Sequence, residues 1–267
     1  MAAEHKTVVL TRTPEQSESM ARALSDLGVR VISFPTIELI PPPDEDIIRQ
    51  AVTELGTYDW IIFTSINAVN HFFAYLDNGD ACMQLPKIAA VGPATASALA
   101  ARGYKVNLMP VTRFQAEGLV EAFVALSPSE KATSGEKPDA KKGRILIPRA
   151  LAARDVLVEE LPKLGYRVTV APVYETVRAR PGNADIDAIE EAEGIVFTSP
   201  STVRNFIDIL DDTKIGKGLA YLGSRKIFSI GPITTAELYD NSASENQIFE
   251  AKESTGKGLV ELIATRL

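Results

Sequence analysis

Four short stretches put hydroxyls, small side chains and turn residues where an apolar run gives way to helical periodicity: Thr64-Ser65, Gly92-Pro93-Ala94-Thr95, Thr198-Ser199-Pro200-Ser201 and Gly231-Pro232-Ile233-Thr234. A helix start leaves backbone N–H groups unpaired and carries the positive end of the helix dipole, so such stretches suit anions, carboxylates among them. The plainer role of each is helix capping, which Ser and Thr perform in most proteins. Arg12 and Arg149 stand in matching loops after the first strand of two similar units, where each can pair with a ligand carboxylate or stay solvated. Other chemistry is thinly supplied. The two histidines, His5 and His71, are too few for a histidine metal centre, and His71 falls in a helical stretch where a surface or packing role suits it. One cysteine, Cys82, excludes an internal disulfide and a thiolate cluster made by one chain. Gly256-Lys257 is followed by Gly258 instead of Ser or Thr, and Ala251 stands where a phosphate-binding loop needs glycine. The first strand leads into Thr11-Arg12 instead of a Rossmann G-x-G-x-x-G. The residues thus predict no metal and no cofactor.

These loops need elements to hold them. Thr7 to Leu10 reads as a strand, with Thr13 as cap and Pro14 in the first turn of a helix that runs to Leu27. Gly28 ends that helix and Val29 to Phe34 forms the next strand, a β-α-β unit of the parallel-sheet kind. Trp60 to Phe63 then leads through Thr64-Ser65-Ile66-Asn67 into a helix reaching Leu76. Ile88 to Val91 leads through Gly92-Pro93 into a helix ending near Gly103.

The second half restates this programme. Arg144 to Arg149 opens it, a helix runs to Leu164, Gly165 caps it, and Tyr166 to Val170 reads as a strand. Asp26-Leu27-Gly28-Val29-Arg30-Val31 reappears as Lys163-Leu164-Gly165-Tyr166-Arg167-Val168, Ile61 to Ser65 as Ile195 to Ser199, and Val91-Gly92-Pro93 as Ile230-Gly231-Pro232. Ala116-Glu117-Gly118-Leu119-Val120-Glu121 reappears as Gly256-Lys257-Gly258-Leu259-Val260-Glu261. The matches recur roughly 135 to 140 residues apart, a period that means duplicated lobes and not a solenoid. Pro35-Thr36-Ile37-Glu38-Leu39-Ile40 and Pro172-Val173-Tyr174-Glu175-Thr176-Val177 sit at equivalent places and alternate like strands. Paired with each other they would connect the lobes. The expected fold is therefore α/β, with two similar parallel-sheet lobes joined by a two-stranded β-ladder linker and the active-site cleft between them.

Bulk composition bounds the function. At 267 residues, 45% hydrophobic and 24% charged, the chain suits two ordinary globular domains. A net charge of −7 without a Lys/Arg cluster argues against nucleic-acid binding. A short polar N-terminus and no membrane-length apolar run predict a cytoplasmic protein off the membrane. Ser127 to Lys142, rich in Ser, Lys, Glu, Gly and Pro, reads as a flexible surface loop with no assigned role.

In sum these residues resemble the uroporphyrinogen-III synthase family over nearly the whole chain. The carriers are Phe63-Thr64-Ser65 with Asn67-Ala68-Val69, Val91-Gly92-Pro93 with Thr95-Ala96, Pro172-Val173-Tyr174-Glu175-Thr176, Phe197-Thr198-Ser199-Pro200-Ser201, and Ile230-Gly231-Pro232 with Thr234. Each is short, and the ordered set is specific. The long polar loop from Ser127 to Lys142 departs from the family's pattern, away from the motifs.

The resemblance implies a cofactor-free, cyclising lyase of tetrapyrrole biosynthesis acting as a monomer on linear hydroxymethylbilane. Ring A would lose its hydroxymethyl oxygen as water, the substituted carbon of ring D would attack to form a spiro intermediate, and reclosure would leave ring D inverted. Because the substrate cyclises unaided without inversion, holding ring D in place would be the protein's main contribution. It further implies a discontinuous first lobe of residues 1–36 and 177–267, linker strands 37–40 and 171–176, and a second lobe of 41–170. Substrate contacts implied are Thr11, Arg12, Ser65, Asn67, Gly92, Thr95, Arg149, Ser199, Ser201, Gly231 and Thr234. Tyr174 matches the family's linker tyrosine, whose phenol can donate to the departing hydroxyl or simply bridge the lobes as a structural ring. Two readings of another class keep the same fold: a two-lobed protein that binds a small anion without chemistry, and a non-catalytic regulatory module.

Overall fold

The structure is a computed structural model that describes residues 6–76, 85–126, 142–213, 215–216, 218–241 and 247–267. His5, Cys82 and stretch 127–141 of the expected polar loop lie outside the described residues. The chain opens with strand β1 (Thr7–Leu10), helix α1 (Pro14–Asp26), β2 (Arg30–Ser33) and β3 (Ile37–Ile40). It continues through α2 (Asp46–Thr53), β4 (Trp60–Phe63), α3 (Ile66–Leu76), β5 (Lys87–Ala90), α4 (Pro93–Ala100), α5 (Ala116–Leu126), β6 (Arg144–Ala150), α6 (Val156–Lys163) and β7 (Arg167–Arg178). It closes with α7 (Asn183–Ile189), β8 (Gly194–Phe197), α8 (Pro200–Asp211), α9 (Gly218–Leu222), β9 (Lys226–Ser229), α10 (Pro232–Asp240), β10 (Ile248–Glu250) and α11 (Gly256–Arg266). Two compact units result: residues 1–38 with 177–267, and residues 39–176.

Each unit holds one five-stranded sheet, in the orders β10-β9-β8-β1-β2 and β3-β7-β6-β4-β5. The pairings of β1 with β2 and β8, of β9 with β8 and β10, of β4 with β5 and β6, and of β6 with β7 are parallel. The duplicated sequence therefore becomes a duplicated topology. β9-β8-β1-β2 matches β5-β4-β6-β7, and β10 matches Leu108, which bridges Ala89 in parallel. Gly28 and Gly165 end α1 and α6 at φ of 79° and 91°, a left-handed conformation that glycine adopts without the steric cost of a Cβ.

The strands read as continuous apolar runs because helices cover both faces of each sheet. In the first unit Val8, Leu10, Val196 and Phe228 pack with Leu24, Leu259 and Ile263 of α1 and α11. Alternate residues Val9, Ile195, Phe197 and Ile227 pack with Ile186, Val203, Phe206 and Leu238 of α7, α8 and α10. The second unit repeats this, with Ile62, Ala89, Ile145 and Ile147 against α5 and α6, and Ile61, Phe63, Ile88 and Leu146 against α2, α3 and α4. Phe206 is fully buried, edge-on to both Phe34 and Phe197. Burial of such a side chain stabilises by about 2–3 kcal/mol.

Two expectations change. The expected strand Tyr166–Val170, from Arg167 onward, and the linker segment after it are parts of one twelve-residue strand, β7, lying between β6 and β3. Pro172 suggests a break in the sequence, but the strand absorbs it at an irregularity. Arg149 aligns with Pro172 and the next residue, Ala150, with Tyr174, so Val173 is an extra residue where the prolyl nitrogen has no hydrogen to donate. Arg149 in turn belongs to β6 and not to a loop, because β6 runs on to follow β7 through this bulge. β3 is the other neighbour of β7, the pairing expected of the linker segments.

Candidate functional site

In the first unit the carboxyl ends of β1, β8 and β9, adjacent in the sheet, bring together the stretches Thr11-Arg12, Ser199-Pro200-Ser201 and Gly231-Pro232. Ser199 is the N-cap of α8, its Oγ accepting from Thr202 N–H at 3.3 Å and lying 3.0 Å from Ser201 Oγ. Gly231 is extended at the N-cap of α10, and its carbonyl accepts from Thr235 N–H at 3.0 Å and from the buried Ser229 hydroxyl at 3.1 Å. Thr234 is 3% exposed, so its side chain belongs to the interior of this turn. Arg12 donates from Nε to Gln16 Oε1 at 3.1 Å and lines a small concavity with Ser17 and Thr198. Thr11 is 1% exposed, and its hydroxyl donates to Val196 O at 2.7 Å while its carbonyl accepts from Thr36 N–H at 3.0 Å. It braces the end of β1 against β8. Thr13 occupies the N-cap of α1 ahead of Pro14, but its side chain makes no capping bond.

The second unit presents the matching edge at β4, β5, β6 and β7. Ser65 Oγ accepts from Ala68 N–H at 3.1 Å and opens α3, with Asn67 half-buried on its first turn. Gly92 caps α4 with its carbonyl, which accepts from Ala96 N–H at 3.0 Å, and Thr95 is buried behind it. The Arg149 side chain is 11% exposed, donating to Asp155 Oδ1 at 2.7 Å and Arg154 O at 3.0 Å, with Nε buried and lacking a hydrogen-bond partner. Tyr174 is 7% exposed just past the bulge, and its carbonyl accepts from Leu151 N–H at 2.8 Å.

Sequence reasoning placed these stretches at helix starts and gave His71 a surface or packing role. It lies on α3 and stacks on Tyr174 with ring centroids 5.0 Å apart, and burial pushes its pKa below the ordinary 6.5. That contact is one of packing, and nothing in the sequence spacing pointed to Tyr174 as its partner. Each edge can thus offer oriented N–H groups and hydroxyls to an anion, backed by helices of eight to twelve residues whose dipoles point the same way. Among the described residues no helix is long and apolar enough to cross a membrane.

A uroporphyrinogen-III synthase of Synechococcus elongatus is 32% identical over 266 residues, 96% of this chain and 93% of that protein. One from Chlorobaculum parvum is 26% identical over 243 residues, 87% of this chain and 88% of that one. The crystal structure of uroporphyrinogen-III synthetase from Helicobacter pylori shares the fold at a TM-score of 0.59 and 19% identity, covering 97% of this chain and 99% of that one. The family model described as uroporphyrinogen-III synthase HemD matches residues 18–261, and the chain belongs to the uroporphyrinogen-III synthase family.

Proposed function

We propose that this protein is a uroporphyrinogen-III synthase, a cyclising lyase that dehydrates hydroxymethylbilane and closes it with ring D inverted. The observation that carries the reading is the repeated edge: hydroxyl-lined helix starts at the carboxyl ends of both sheets, in a chain matched to this family along most of its length. The substrate is flexible and carries many carboxylates. Ser65, Ser199, Ser201 and the turns at Gly92 and Gly231 supply hydroxyls and N–H groups for those carboxylates, so a net acidic protein binds an acidic ligand through local features. Arg12, Arg149 and Asn67 add donors, while Thr11, Thr95 and Thr234 act from the interior by holding the turns in shape.

The substrate reacts unaided, so orientation supplies most of the selectivity. The Tyr174 phenol donates a proton to the departing hydroxyl, which leaves ring A as water. The resulting cation is attacked by the substituted carbon of ring D, the spiro intermediate opens, and the freed carbon recloses on the unsubstituted carbon of ring D, whose proton leaves to restore the pyrrole and reprotonates the phenolate. Holding ring D within reach of ring A for that attack is the protein's main part in the reaction. The reading needs no cofactor and no nucleic-acid partner, and places a monomer in the cytoplasm. Incubation with freshly made hydroxymethylbilane, followed by separation of type I and type III products, tests it. Type III product at a rate far above background is expected; type I alone at the spontaneous rate overturns the reading.

A further inference from the structure

The duplication lets the two edges be compared residue by residue, and they differ at one instructive place. In the second unit the chain passes Leu108, turns at Arg113 and enters α5. In the first it leaves β10, turns at Glu253 and enters α11. The turns share their hydrogen bonding: Gln115 N–H donates to Arg113 O at 2.8 Å, and Thr255 N–H to Glu253 O at 2.7 Å. Gly118 and Gly258 follow at the same interval, each lying so close to the carbonyl of Arg113 or Glu253 that a Cβ would strike it. Phe114 and Ser254 are therefore equivalent residues.

Each stands over the glycine that opens the neighbouring helix. A Cβ on Gly92 would lie 3.4 Å from Phe114 Cβ, and a Cβ on Gly231 would lie 2.5 Å from Ser254 Oγ and 3.4 Å from its Cβ. The same position beside a helix start is thus filled by a phenyl ring in one unit and by a hydroxyl in the other. Phe114 is 45% exposed, and its edge of the sheet also shows Val111 at 90%, Ile66 at 42% and Leu151 at 40%. These side chains follow Leu108, β4 and β6, on the same end of the sheet as Gly92. Apolar residues gathered at one edge beside free N–H groups suit a ligand that is itself a flat ring with charged arms.

We propose that Phe114 contacts the face of a pyrrole ring of the linear tetrapyrrole, at the place where the first unit carries the Ser254 hydroxyl instead. The assignment rests on the synthase reading above and adds a residue of the second unit that takes a ring of the substrate. A pyrrole is planar and electron-rich with an N–H donor, so it packs edge-to-face or offset against a phenyl ring.

Steady-state kinetics with hydroxymethylbilane, isomer separation and thermal unfolding of the full-length protein test this. Phe114→Ala is expected to raise KM about tenfold with kcat within about twofold, the loss of one aromatic contact and its buried area. Phe114→Tyr, which keeps the ring face, returns KM to near wild type. Val124→Ala, a comparably exposed apolar position on α5 at 49%, leaves KM unchanged. If Phe114→Ala unfolds early, Phe114→Leu keeps the apolar bulk without the ring face and carries the same expectation. An unchanged KM in the folded variant, or a rise that tyrosine fails to reverse, overturns the proposal while wild type still makes type III. Type I alone from wild type overturns the synthase reading itself, and this proposal with it.

Discussion

The imidazole of His71 lies stacked on the phenol of Tyr174, with centroids 5.0 Å apart and planes 28° from parallel. Tyr174 comes from the long strand β7 just beyond its bulge, and His71 from the second turn of α3, whose N-terminus is capped by Ser65. The stack ties the proposed proton donor to a helix whose start belongs to the proposed carboxylate site. It also holds the phenol in one orientation, so the ring is positioned by packing before any substrate arrives.

Tyr174→Phe removes only the hydroxyl and keeps the ring against His71. We expect turnover to fall about 100-fold, within the range for a lost proton donor, with the unfolding midpoint within about 2 °C of wild type. Rate measurements with isomer analysis check this, and undiminished turnover removes Tyr174 from the proton-donating role.

His71 sets a pH dependence of stability. Burial disfavours its charged form and lowers its pKa from the ordinary 6.5, so the unfolded chain binds the proton more readily than the folded one. This contribution is fully present above 6.5 and is lost as pH falls from there through the lower folded value. Denaturant midpoints should therefore drop on acidification below 6.5, and His71→Phe, which preserves the stack, should flatten that part of the curve. Equal slopes in the two proteins would refute it.

Gly118 and Gly258 test the duplication at the level of backbone packing. A methyl group at either would run into the carbonyl of Arg113 or Glu253. Gly118→Ala and Gly258→Ala should each cost about 1–3 kcal/mol, the usual penalty for overfilling a close-packed contact. Urea denaturation gives the number, and a variant as stable as wild type would show that the turn gives way cheaply.

Arg149 should matter for substrate and little for folding. Its partner Asp155 is 56% exposed and can return to water, so Arg149→Lys should keep stability within about 1 kcal/mol. A lysine cannot donate in two directions from a rigid fork, and KM should rise several-fold; an unchanged KM would confine Arg149 to a structural part.

Much of this architecture was legible before any coordinates. The strand ends, Gly28 and Gly165 as helix terminators, and the pairing of Ser65 with Ser199 and Gly92 with Gly231 all follow from local signals repeated in order. Local signals travel well because a cap, a left-handed glycine or an alternating apolar run depends on a few neighbouring residues. The resemblance of those repeated stretches to one family carried the functional reading with them.

Only the tertiary structure decided how the side chains are used. Thr11 looks like a loop hydroxyl available to a ligand, but it is buried and donates to Val196, 185 positions away in the chain. Pro172 looks like a strand end and is absorbed in a bulge, because β6 and β3 pair with β7 on either side. His71 meets Tyr174, and Phe114 covers Gly92, through contacts between elements distant in sequence. The sequence alone determined the repeated strand, loop and helix signals and their order, since periodicity and capping are written residue by residue. Register, bulges and ring contacts are settled by close packing between those elements, and that depends on which surfaces meet in three dimensions.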